Sequence, residues 1–357
     1  MSDFKHNSEE NYIEIIQRLV KCVVVLLILV VALIILNLID LSSPKKNILK
    51  KNIVAGDTKD STSTLIDTGY ASVPDTSFIP KEKNAKQILY GRELIVNTSV
   101  YLGPKGKVKK ISNGMNCQNC HLEAGTKPFG NNYLAVASTY PKFRERSGKI
   151  ESIYKRVNDC IERSLNGIAI DTNSNEMQAI QSYIKWLGKD IAKVTAIPGK
   201  VKGSGIKDLT YLNRAADPEK GKIVYALKCK SCHADNGEGK FNSHGLSYQY
   251  PPMWGEHSYN NGAGLYRLSR FAGYVKYNMP QGASFNNIQL TDEEAWDVAA
   301  FVNSQPRPKK DLRQDWPKIA GKSIDHPFGP YADNFTETQH KYGPFEPIAD
   351  AKKKNKK

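Results

Sequence analysis

Two short pentads constrain this chain more than anything else in it: Cys117-Gln-Asn-Cys120-His121 and Cys229-Lys-Ser-Cys232-His233. Two residues between the cysteines make about one helical turn, so both thiols reach one side while the adjacent His swings beneath. This is how two thioethers hold a porphyrin edge and the imidazole ligates its iron. A single pentad could be half of a zinc site or a redox dithiol. Two of them, 112 residues apart, point to two covalently bound haem c groups. Cys117, Cys120, Cys229 and Cys232 would then be the attachment thiols, and His121 and His233 the iron ligands.

The chain has 357 residues, enough for two domains with extensions. The pentads use four of its six cysteines, leaving Cys22 in an apolar run and Cys160 without an evident disulfide partner. The net charge of +15 favours anionic partners, although part of it sits in a lysine-rich tail (Lys352, Lys353, Lys354, Lys356, Lys357). No nucleic-acid fold signature accompanies it, so no nucleic-acid partner is expected.

Residues 22–39 read CVVVLLILVVALIILNLI, apolar on every face and long enough to span a bilayer. No small-x-small cleavage site follows, so an uncleaved transmembrane signal anchor is expected, with cleavage as the alternative. Lys5, Arg18 and Lys21 precede the run, and Lys45, Lys46, Lys50 and Lys51 follow it, so the positive-inside count does not favour an outward C-terminus. The haem sites override that count, because c-type attachment occurs outside the cytoplasmic membrane. The expected layout is a cytoplasmic terminus (1–21), the anchor (22–39), a tether rich in Ser, Thr, Asp and Lys (40–80) and a periplasmic body.

Within the body the apolar spacing predicts helices over 85–100, 150–166 and 175–187, then a Gly-rich linker. The pattern restarts near Asp217-Pro218, continues over 264–277, and ends in a helix from Thr291 to about Asn303, opened by a capping box. Strands are not evident. The expected fold is all-α, with two tandem class I cytochrome c-like domains: 81–198, a linker at 199–212, 213–308, and a tail at 309–357 wrapping the body.

Each iron needs a group opposite its His. For the second haem the candidates are Met253, Met279, His244 and His257. Met279-Pro280, between two helices, is the favoured one. For the first, Cys160 follows His121 by 39 residues, close to the 46 from His233 to Met279. A thiolate is a good soft ligand, and a buried inert thiol is the alternative.

The stretch Tyr140-Pro-x-x-Arg144-x-Arg146-Ser147-Gly148, with Arg156-Val-Asn158-Asp159-Cys160-Ile-Glu162-Arg163-Ser164-x-Asn166-Gly167, strongly resembles the tetrathionate-forming thiosulfate dehydrogenases, dihaem enzymes related to Sox-type cytochromes. The tail Gln339–Ile348 resembles theirs too, so the likeness spans about 85–350. The resemblance implies that Cys160 ligates the active-site haem distally and that Arg146 and Arg156 bind substrate. It implies that two thiosulfates join as tetrathionate and that electrons leave through the second haem to a periplasmic or membrane acceptor. Lys often precedes the axial Met in that family, whereas this chain has Asn278. Tetrathionate reduction at the same site, a non-catalytic electron carrier and a Sox-like sulfur transferase are the competing readings.

Overall fold

The computed structural model describes residues 17–31, 73–191 and 201–354. Residues 1–61 and 62–357 form two separate units. In the first, 17–31 are helical with exposed apolar side chains. This covers the start of the expected anchor. Residues 32–39 lie outside the described residues, as do 1–16, 40–72, the interdomain stretch 192–200 and 355–357. No described helix is long and apolar enough to cross a membrane.

In the second unit, a 3₁₀ turn over Thr76–Lys81 buries Ile79 completely, so the end of the expected tether is packed. Helix α1 (Ala85–Val96) turns Ile88, Gly91, Leu94 and Ile95 inward. Helix α2 (Ile153–Arg163) begins where the Ser152 hydroxyl accepts from Lys155 N, and α3 (Asn175–Leu187) where the Ser174 hydroxyl accepts from Met177 N. These side chains satisfy amide groups that the first helical turn leaves unpaired. Helix α3 buries Met177, Ile180, Tyr183, Ile184 and Leu187 against α1.

The second half repeats the plan. Helix α4 (Pro218–Lys228) starts at Asp217, whose carboxylate accepts from Glu219 N and Lys220 N, with Pro218 in the first turn. Helix α5 (Leu268–Asn278) leads into Met279. Helix α6 (Asp292–Ser304) opens with the expected reciprocal box: Glu294 N donates to Thr291 Oγ1 at 3.1 Å and Thr291 N to a Glu294 carboxylate oxygen at 2.9 Å.

Both halves close their terminal helices over a glycine. A Cβ at Gly91 would land on the Ala179 carbonyl and 2.9 Å from Tyr183 Cβ. One at Gly221 would land on the Asp297 carbonyl and 2.9 Å from Phe301 Cβ. Backbone therefore meets backbone at each crossing, with an aromatic one turn further on.

The structure departs from the all-α expectation at two small hairpins. β1 (Lys142–Arg144) pairs antiparallel with β2 (Lys149–Glu151), and β3 (Lys240–Phe241) with β4 (Tyr248–Tyr250). Strands of two or three residues are too short to carry a period-two pattern. β2 also takes the first residues of the expected 150–166 helix, and Ser152 marks the change.

The tail runs over both halves. Helix α7 (Glu337–Tyr342) and helix α8 (Glu346–Lys354) follow an irregular stretch, and Phe345 and Ile348 are fully buried in the second core. Asp325, wholly buried, accepts from Arg267 and Ser269. Asp315 accepts both terminal nitrogens of Arg163 at 2.7 and 3.0 Å.

Candidate redox centres and the surroundings of Cys160

In the second pentad, Cys232 N and His233 N both donate back to Cys229 O, closing the single turn its spacing predicts. His233 is buried, and its Nδ1 donates to Pro251 O at 2.8 Å. That bond selects the tautomer and leaves Nε2 for a metal. Burial pushes its pKa down, which keeps the imidazole neutral, as a ligand must be. Beside it lies a cavity of about 540 Å³, within the usual size of a cofactor site. Cys229, Cys232, His233, Met253 and Met279 all line it, and neither His244 nor His257 does. Thiols, a pinned imidazole and an apolar hollow fit a haem.

The first pentad has the same logic. His121 N donates to Cys117 O, and His121 Nδ1 donates to Asn131 O at 2.5 Å. The ring stacks on Tyr133 at 4.4 Å. Burial drops the His121 pKa to about 4 and lifts the Cys117 thiol to about 11 and Cys120 to about 12. These groups are therefore neutral and desolvated.

Cys160 and Arg156 stand one turn apart on α2 and share the surroundings of the first pentad. Cys160 lies near enough to add to the raised pKa of Cys117, Cys120 and Tyr133, and Arg156 near enough to add to the lowered pKa of His121, in each case after burial. Arg156 is held above its ordinary pKa, first by Cys160, against burial. Its neighbours act on it through space, without a hydrogen-bonded carboxylate among the described residues.

Arg146 is placed differently. It sits in the β1–β2 turn, which Gly148 closes at φ +64°. Its Nη1 donates to Gly262 O at 2.6 Å, its guanidinium lies 4.6 Å over the Trp316 ring, and Asp315 is 3.8 Å from Nε. Burial lowers its pKa to about 9, Arg163 and Arg156 add to this, and Asp315 opposes it. The structure thus brings Arg146, Arg156 and Cys160 into one cationic neighbourhood. Arg270, ion-paired to Asp208 at 2.9 Å, joins it from α5; burial lowers its pKa first, and the charges of nearby Arg156 and Arg144 add to this.

Several contributors escaped sequence reasoning. Asp315 and Trp316 lie over 150 residues from Arg163 and Arg146, in a tail without periodicity. The carbonyls that pin the two imidazoles belong to Asn131 and Pro251, and any residue type supplies a carbonyl.

A smaller void of about 30 Å³ touches Cys120 of one pentad and His233 of the other, so the two centres are neighbours. Two helical halves, each crossing its terminal helices over such a pentad, define a tandem cytochrome c. Known families agree: cytochrome c matches residues 218–306, and the SoxA/TsdA cytochrome c domain matches 107–192. Thiosulfate dehydrogenase of Psychrobacter arcticus is 34% identical over 75% of this chain and 80% of its own. That of Allochromatium vinosum is 34% identical over 66% of this chain and 84% of its own. The "as isolated" structure of thiosulfate dehydrogenase (TsdBA) from Marichromatium purpuratum superposes with a TM-score of 0.61 at 28% identity. It covers 72% of this chain, which spans about half (52%) of that one. The chain belongs to the thiosulfate dehydrogenase family of haem-binding oxidoreductases.

Proposed function

We propose that this protein oxidises thiosulfate to tetrathionate: two dianions join through a new sulfur–sulfur bond, and two electrons leave. The product keeps two negative charges, and no proton is exchanged. Two haem c groups, bound through Cys117/Cys120 and Cys229/Cys232, would supply one-electron acceptors when present. His121 with Cys160 would hold the first iron, and His233 with Met279 the second. Met253 lines the same cavity and is the alternative there.

The observation that carries this reading is the cluster of Arg156, Arg146 and Arg270 around the surroundings shared by Cys160 and the first pentad. Half-buried like charges repel, and an anion placed among them relieves the repulsion. Arg156, without a bonded carboxylate among the described residues, is the substrate clamp. Arg146, fixed by Gly262 and Trp316, presents its remaining face. Guanidinium forks match sulfonate oxygens as they match phosphate. Tyr133, stacked on His121, would help keep water from the imidazole.

Electrons would pass from the first centre to the second, and then to a periplasmic or membrane acceptor. The body is placed in the periplasm, anchored through residues 22–39. Protection of the body from protease in inside-out vesicles is the expected result, and digestion there would overturn that placement.

The function is tested by thiosulfate-dependent reduction of ferricyanide, with tetrathionate measured as product. Activity is expected in the haem-loaded protein and absent from Cys160→Gly. No activity from a protein carrying both haems would reject the proposal.

A further inference from the structure

The segment Lys127–Asn131, just after the first pentad, bonds to His121 on one side and to sequence neighbours of Met279 on the other. On one side, Asn131 O accepts from His121 Nδ1 at 2.5 Å. On the other, Phe129 O accepts from Asn278 Nδ2 at 3.1 Å, and Lys127 Nζ donates to Ala283 O at 3.0 Å. Asn278 and Ala283 bracket Met279. The Phe129 ring packs on Tyr277 and Phe285, with centroids 5.9 and 5.4 Å away.

The segment is held under strain. Phe129 and Asn131 both have left-handed backbone, φ +56° and +58°, which non-glycine residues adopt at a cost. Their amides are fastened to Gly203 O and Gly205 O. Asn278 is only 2% exposed, and its amide nitrogen also donates to Tyr274 O at 2.9 Å. Its Oδ1 is buried without a hydrogen-bond partner among the described residues. Such an orphan destabilises, so the side chain contributes through its two donor bonds.

We propose that Asn278 is a positioning residue for the Met279 ligand, and that the 127–131 segment couples that ligand to the proximal His121 of the other haem. The coupling runs through two carbonyls of one strained loop, two residues apart. A displacement of the His121 ring, such as a change in its ligation would bring, would shift the Asn131 carbonyl that accepts from it, and with it the Phe129 carbonyl on which Asn278 hangs. Linkage makes the effect reciprocal. The inference rests on the haem ligands assigned above and not on the identity of the substrate.

The test uses the haem-loaded full chain carrying Asn278→Leu, which has the same heavy-atom branching as Asn but no donors, and separately Lys127→Met. Met279→Leu serves as the reference. The readouts are the ferric Met–iron charge-transfer band, the electron paramagnetic resonance of the first haem and the midpoint potential of each haem. Asn278→Leu is expected to lower the Met-ligated to Met-free ratio about tenfold, the size expected for losing two buried hydrogen bonds. The signal and potential of the first haem should move with it. Lys127→Met should move both haems in the same direction by less, and it carries the test alone if Asn278→Leu does not take up haem. Loss of the Met band with an unchanged first haem would overturn the coupling, and an unchanged band would overturn the positioning role. Retention of the band in Met279→Leu would overturn the ligand assignment and the proposal with it. None of these readouts depends on thiosulfate turnover, so a failed activity assay leaves them interpretable.

Discussion

Arg156 and Arg146 look alike in sequence, and their surroundings separate them. Among the described residues Arg156 has only through-space carboxylate neighbours, which leaves its fork for an anion. Arg156→Gln is therefore expected to lower kcat/KM for thiosulfate about a hundredfold, the scale of losing a charge-assisted bidentate contact. Arg146 is bound to Gly262 O and lies on Trp316. Trp316→Leu removes that platform and should raise KM several-fold, with kcat and both haem spectra little changed. A steady-state comparison of the three proteins checks this, and equal effects of the two substitutions would reject the distinction. The two pentads and the Arg-rich motif could be read from the chain, since their spacing is local. Trp316 could not, because its relation to Arg146 exists only after the tail has crossed the first half.

At the scale of elements, the two glycine crossings carry the clearest prediction. In an exposed helix, Gly→Ala stabilises by about 1 kcal/mol. At Gly91 and Gly221 the new methyl meets a backbone carbonyl of the partner helix, which cannot step aside as a flexible side chain can. Gly91→Ala and Gly221→Ala should each destabilise by about 1–3 kcal/mol, the usual scale of overpacking. Denaturant unfolding of the haem-loaded protein measures this, and a raised midpoint would refute the packing argument. The helices themselves were largely legible: α3 and α6 fall where periodicity and the Thr291–Glu294 box place them. The two hairpins were not, since β3 has only two residues and pairing across a turn is what makes it a strand.

For the molecule as a whole, the large cavity and the tail matter most. Tyr225, Phe271, Val298 and Val302 line a space of about 540 Å³ that belongs to the second core. A Cys229→Ala/Cys232→Ala protein, deprived of covalent attachment there, is expected to lose near-ultraviolet circular dichroism from that half and to become sensitive to protease. The first half should keep its haem spectrum. Unchanged resistance to protease would show that the second half closes without a haem. The tail contributes to the same core through Phe345, fully buried against Trp296 and Tyr211. Phe345→Ala should cost about 3–5 kcal/mol, as deletion of a buried aromatic does. Thermal unfolding of the haem-loaded protein would show this as a lowered transition, and a change within error would mean that the tail is only loosely applied.

What the sequence determined by itself was the chemistry that depends on near neighbours along the chain. Two thiols and an imidazole within five residues need only one turn, a capping box spans four residues, and Arg156 and Cys160 share a helical face because they are four apart. Tertiary structure decided everything that depends on residues meeting from afar. It paired Arg163 with Asp315, laid Arg146 on Trp316 and aimed the carbonyls of Asn131 and Pro251 at the two imidazoles. It also hung Asn278 from the loop that holds His121. The physical reason is one of range. Local spacing fixes direction within a turn or two, whereas long-range contacts depend on how the helix pairs cross and where the tail is laid down, and no short stretch of residues encodes that.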